Sequence, residues 1–154
     1  MIHPGEHQKA EVETILKNHP DITFLFHGGE ENLFIMELLG KYKNFYYSLD
    51  ANLVKIYGWE RRHVGNKITK DEWLVYFRKN FDEILDYDLE KWGHWIERYP
   101  DRFTWGTDRA LEWHFDSEVG GLIEELGRAF IGQLSPSVRE KFAYKNAERI
   151  LGGK

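Results

Sequence analysis

Four residues able to hold a metal or move a proton, His3, His27, Asp50 and Asp108, each follow a short apolar run. His3 closes Met1-Ile2, and His27 closes Ile22-Thr23-Phe24-Leu25-Phe26. Asp50 closes Asn44-Phe45-Tyr46-Tyr47-Ser48-Leu49, and Asp108 comes just after Arg102-Phe103-Thr104-Trp105. Imidazole and carboxylate together are ligand types for a divalent cation, with zinc the first choice. Such a cation lowers the pKa of a bound water and polarises a carbonyl or phosphoryl oxygen. A carboxylate on the same rim can take the proton from that water. Each residue also has an ordinary reading. His27 precedes Gly28-Gly29 and could cap a strand–loop junction, and Asp108 could cap the next segment or pair with Arg109. Their shared position at the ends of apolar runs is what favours the functional reading of the group.

The runs that carry them read as strands. They are β-branched or aromatic and do not alternate strictly with polar residues, as expected of strands covered on both faces of a parallel sheet. Met1-Ile2-His3 reads as the tail of a further strand. Between the runs lie helical patterns: 8–18 with Val12, Ile15 and Leu16; 32–41 with Leu33, Met36 and Leu39; and 81–99 with Ile84, Leu85, Leu89, Trp92 and Ile96. Thr69-Lys70-Asp71-Glu72 is a capping box that predicts a helix start near Lys70. Leu122, Leu126 and Phe130 mark another helix. Ser135 and Pro136 open the last one, with Val138, Phe142, Ala143 and Ala147 facing inward.

Strand–helix alternation predicts βαβ units with right-handed crossovers and a parallel sheet. The steps from His3 to His27 and from His27 to Asp50 are 24 and 23 residues, one βα unit each. The step from Asp50 to Asp108 is 58 residues, which predicts a helical insert at about 53–80. No linker divides the chain, so 1–154 is expected to be a single domain. In parallel α/β architectures the carboxyl ends of the strands converge on the ligand site.

Composition narrows the classes. With 154 residues, 42% apolar and 16% aromatic, the chain can bury a core. The net charge of −5 and the absence of a basic stripe argue against nucleic acid as a partner. There is no cysteine, hence no disulfide, thiolate ligand or cysteine nucleophile. No apolar run approaches the roughly 20 residues that span a bilayer, and the first nine residues do not read as a signal peptide. The expectation is a cytoplasmic protein that does not engage a membrane.

Four phrases in order carry a resemblance. They are His19-Pro20-Asp21-Ile22-Thr23-Phe24-Leu25-Phe26-His27-Gly28-Gly29, Asn44-Phe45-Tyr46-Tyr47-Ser48-Leu49-Asp50, Tyr99-Pro100-Asp101-Arg102-Phe103-Thr104-Trp105-Gly106-Thr107-Asp108, and Leu134-Ser135-Pro136 through Asn146-Ala147-Glu148-Arg149-Ile150-Leu151. Together they resemble the sixth, seventh and eighth strands and the closing helix of the amidohydrolase-related (amidohydrolase 2) family. The resemblance spans nearly the whole chain outside the insert. It implies an α/β fold of parallel (βα) units forming half of a TIM-type (β/α)₈ barrel, with the first four strands absent. By position it implies His3 as a metal-binding histidine, His27 as one that binds metal or touches the substrate, and Asp108 as metal ligand or general base, with His27 and Asp108 the catalytic candidates. Asn146 matches a structural asparagine. The implied chemistry is metal-dependent hydrolysis of amide, ester or lactone bonds in a small-molecule substrate, or a related decarboxylation.

The family's first-strand His-x-His pair is absent from this sequence. Four strands cannot close a barrel and would leave open edges. The expectation is therefore a homo-oligomer, a dimer first, or a partner chain that supplies the missing half. The competing reading is a non-catalytic half-barrel that serves as a binding or assembly module. Asp50 and His114 are further candidates for contact with substrate; for His114, packing in a loop is the plainer role. His7, Glu6, Glu30, His63 and His94 read as solvent-facing or packing residues.

Overall fold

A computed structural model describes residues 8–28, 33–49, 69–107, 109 and 112–152. Helix α1 (Lys9–Asn18) buries Val12 and Leu16, one turn apart on one face. Strand β1 (Phe24–Gly28) follows, then α2 (Leu33–Lys41) and β2 (Phe45–Leu49). Ion pairs Lys9–Glu37 and Lys41–Glu13 tie α1 to α2. Helix α3 (Lys70–Lys79) starts on the expected capping box: Thr69 accepts from the Glu72 amide, and the Glu72 carboxylate accepts from the Thr69 amide. Next come α4 (Phe81–Asp88), a π-turn (Leu89–Gly93) and α5 (His94–Arg98), which realise the single helical pattern of 81–99 with one widened turn. Strand β3 (Phe103–Trp105), a 3₁₀ turn (Glu112–Phe115) and α6 (Ser117–Gln133) lead to α7 (Pro136–Glu140), a second π-turn (Lys141–Lys145) and α8 (Asn146–Leu151).

The three strands form one parallel sheet in chain order, β1-β2-β3. The expected strand before β1 lies outside the described residues, as does 53–68 of the expected insert; α3 occupies most of the remainder. All three strands begin later than their apolar runs, β3 by the one residue Arg102. Asn44, expected in β2, donates its side-chain amide to the Leu16 and His19 carbonyls and holds a turn. Ile22 sits in that turn, half exposed, and β1 starts only where the Phe24 amide reaches the Asn44 carbonyl.

Alternate strand residues divide the sheet into two faces. One face carries Phe24, Phe26, Phe45, Tyr47, Leu49, Phe103 and Trp105, all within or packed against the main hydrophobic cluster. That cluster also takes residues from α1, α2, α5, α6, α7 and both π-turns. Each π-turn aims one large ring into it. Trp92 stacks on Tyr47 at 5.9 Å and meets Phe103 edge-on at 6.5 Å, while Phe142 packs on Phe130. Leu25 and Tyr46, on the other face, are not in the cluster. Among the described residues, then, the main hydrophobic cluster lies against one side of the sheet. Parallel strands in chain order with right-handed crossovers put every connecting helix on the same side. The architecture is a mixed α/β fold around a small parallel sheet.

A second cluster joins α3, α4 and α6 through Trp73, Leu74, Phe77, Ile84, Val119, Ile123 and Leu126. Trp73 and Phe77 stack at 4.6 Å. Asn146, in the closing helix, is buried and donates to the Pro100 and Phe103 carbonyls at 2.8 Å each, which pins α8 to β3. No helix among the described residues is long and apolar enough to cross a membrane.

Candidate functional site

His27 is the penultimate residue of β1, Ser48 of β2 and Thr104 of β3. The ladders pair His27 with Ser48 and Ser48 with Thr104, so the three lie at one level across the sheet. Laterally paired residues of parallel strands share a face, and here it is the face opposite the main hydrophobic cluster. Strand spacing of about 4.8 Å sets His27 and Thr104 roughly 10 Å apart at their Cα atoms, with Ser48 between them.

Both hydroxyl residues are nearly covered, Ser48 at 9% and Thr104 at 4% exposure, and His27 is half-buried. Among the described residues no hydrogen bond engages the side-chain hydroxyl of Ser48 or Thr104. Two residues back along the strands, Arg102 lies over the Tyr46 ring at 5.0 Å, with Arg149 on the same ring at 5.8 Å. Arg102 also donates to the Phe45 and Tyr42 carbonyls. Burial lowers the pKa of its guanidinium from the ordinary value, with the nearby Arg149 acting in the same direction. A guanidinium so displaced still carries its charge.

The remaining sequence candidates divide. His3, Asp50 and Asp108 lie outside the described residues. In the chain, Asp50 directly follows the end of β2, and Asp108 comes three residues after the end of β3. His114 is fully buried in the 3₁₀ turn, edge-on to Trp113 at 4.5 Å and 6.0 Å from Trp73. Its ring packs on Trp73 and Trp113 of the second cluster. His94 is exposed and leans on Trp95 at 4.7 Å.

The chain leaving β3 is seated on α6. A Cβ at Gly127 would lie 2.8 Å from Cζ2 of Trp105, and one at Gly120 would lie 3.1 Å from the Arg109 guanidinium. Glycine at these two positions lets ring and guanidinium lie against the helix backbone. Arg109 also donates to the Glu124 carboxylate at 2.8 Å. Both neighbours of the Gly106–Asp108 stretch are thereby held.

Ser48 and Thr104 were not singled out by reading the sequence. The signal was available as a period of two: Ser48 stands two residues before Asp50, and Thr104 four before Asp108, both on the face that strand alternation assigns to the rim.

No family model, curated protein or solved structure matches the chain. Among the described residues no group of three or more His, Asp or Glu side chains is placed to hold a metal ion.

Proposed function

We propose that this chain carries the active-site rim of a metal-dependent hydrolase, or related decarboxylase, of the amidohydrolase type. The observation that supports this reading is the polar row His27–Ser48–Thr104. It sits on the face opposite the main hydrophobic cluster, at the carboxyl ends of parallel strands, where α/β proteins gather their ligand-binding groups. His27, Asp108 and His3 would hold a divalent cation. The donor chemistry fits, since two imidazoles and a carboxylate match zinc or a similar ion, and His27 stands near the carboxyl end of β1. When bound, the cation makes water acidic enough to attack a carbonyl and polarises that carbonyl.

The chain's own residues do the rest. The penultimate position of His27 holds its ring on the rim rather than in the core. Asp108 takes the proton of the attacking water and returns it to the leaving group. The row beneath orients a small-molecule substrate. The two outer strands, β1 and β3, have no further strand paired to them among the described residues. A second copy or a partner chain completes the sheet.

Metal analysis of protein purified without chelators tests the reading. The expected result is about one zinc or similar ion per site, with at least tenfold weaker binding in H27A and D108A. Wild-type protein that stays metal-free after dialysis against zinc would overturn it and favour a non-catalytic binding module.

A further inference from the structure

Helix α3 turns Trp73, Leu74 and Phe77 into the second cluster, and ion pairs from Lys70 to Asp116 and from Arg78 to Glu118 seat it on α6. A groove of about 560 Å³ runs along the helix, lined among the described residues by Asp71, Glu72, Val75, Tyr76, Lys79 and Asn80. Its lining is mostly apolar at the middle, where Val75 stands 67% exposed. Glu72, Val75, Tyr76 and Lys79 are three and four residues apart, hence on one stripe of the helix. No ion pair among the described residues engages Asp71 or Lys79.

The six residues pair up when the helix is reversed. About a centre between positions 75 and 76, Asp71 corresponds to Asn80, Glu72 to Lys79 and Val75 to Tyr76. A twofold axis through that centre, at right angles to the helix, lays a second α3 antiparallel on the first and makes those pairs between chains. An isologous contact demands this property: residue i meets j, and j meets i. Two Glu72–Lys79 ion pairs then enclose an apolar middle of Val75 against Tyr76, and the Asn80 amide donates to the Asp71 carboxylate. Parallel packing would instead set glutamate on glutamate and lysine on lysine, which like-charge repulsion opposes.

We propose that this face of α3 is a self-association surface, on which a second copy of the chain packs antiparallel about a twofold axis. The inference depends on neither the metal nor the polar row, and it uses a helix rather than the sheet edges. One short helix from each chain gives an interface at the small end of the range, so the dimer is weak and reversible.

The test is analytical ultracentrifugation of the full chain from about 10 μM to about 1 mM, the range in which small interfaces dissociate, with ¹H–¹⁵N NMR spectra at both ends. The expected result is a monomer–dimer equilibrium whose concentration-dependent shifts centre on α3 amides. V75E and K79E should each weaken the dimer at least tenfold, with thermal midpoints near that of wild type because both positions are exposed. E72K should weaken it as much; it also removes the cap of α3, so its midpoint falls. An equimolar mixture of E72K and K79E should recover a dimer within threefold of wild-type strength, since an all-lysine stripe then meets an all-glutamate one. A merely structural role for these charges would not give that recovery. A monomer throughout the range, a dimer unmoved by V75E and K79E, or a mixture no stronger than its separate parts would each overturn the proposal. The second of these outcomes would place the contact elsewhere and leave the sheet edges as its seat.

Discussion

The two faces of the sheet share one backbone ladder and differ in nearly everything else. On the helix-covered face, Phe26, Tyr47 and Phe103 stand at one level and are all buried, with Trp92 meeting both Tyr47 and Phe103. One residue further on, His27, Ser48 and Thr104 occupy the corresponding level of the opposite face. The first row is explained by burial alone. The second carries polar side chains, although valine or isoleucine in place of Ser48 would suit the strand better.

The largest effect expected from that difference is at Phe103. Phe103→Ala empties a fully buried site in contact with Tyr47 and Trp92, and should cost about 3–5 kcal/mol in denaturant unfolding. Gly127→Ala tests the same side from behind. Its new methyl would meet the Trp105 ring at 2.8 Å, and overpacking of this kind costs about 1–3 kcal/mol. Gly132→Ala, on the same helix with open space around it, is the control and should be neutral or slightly stabilising. If Gly127→Ala were as mild as the control, Trp105 would not be seated as described.

Thr104→Val moves the comparison the other way. It keeps the shape and removes a hydroxyl that bonds to nothing described, so unfolding free energy should hold or rise by up to about 1 kcal/mol. A loss comparable to that of Phe103→Ala would mean that the two faces are structurally equivalent, and the contrast drawn between them would fail.

How much of this was legible beforehand follows the same division. The helix at Lys70 was readable to the residue, because Thr69 and Glu72 satisfy each other's neighbourhood within one turn and need no tertiary partner. The strands were readable as apolar runs, but not their first residues. Ile22 looks like strand, yet Asn44 reaches across from the next unit to hold the turn, a contact 25 residues away from His19. The burial of His114 was equally hidden. Its neighbour Trp73 comes from α3, and nothing local tells a loop histidine that a distant helix will cover it. His27 was found because it closes a run. Ser48 and Thr104 lie inside runs, where only the face assignment separates them from core.

The smallest expected effect concerns a region that touches neither face. Lys70, at the start of α3, bonds the Asp116 carboxylate at 2.9 Å, and Arg78 bonds Glu118 at 2.6 Å, so both ends of α3 are fastened to the start of α6. Asp116 also caps α6 by accepting from the Glu118 amide at 2.9 Å. The bond from Lys70 holds the Asp116 carboxyl below its ordinary value of 3.8, and Arg78 does the same for Glu118 below 4.5. Lys70 is raised above 10.5 by Asp116. Depressed carboxylates stabilise fully above their unfolded values and lose that contribution as pH falls through the folded ones. A raised lysine contributes below its unfolded value and loses it as pH climbs through the folded one. The cluster therefore stabilises at neutral pH, fades below about 4.5 from the carboxylates and above about 10.5 from Lys70. Asp116→Asn keeps the cap, since asparagine serves as well at that position, and deletes only the ion pair. Its thermal midpoint should sit slightly below wild type at pH 7 and converge with it as the pH falls toward 3, with the gap narrowing in high salt. Because these side chains are exposed, the gap should be the smallest among the destabilising substitutions considered. A large one would mean that α3 depends on the ion pair rather than on Trp73 and Phe77.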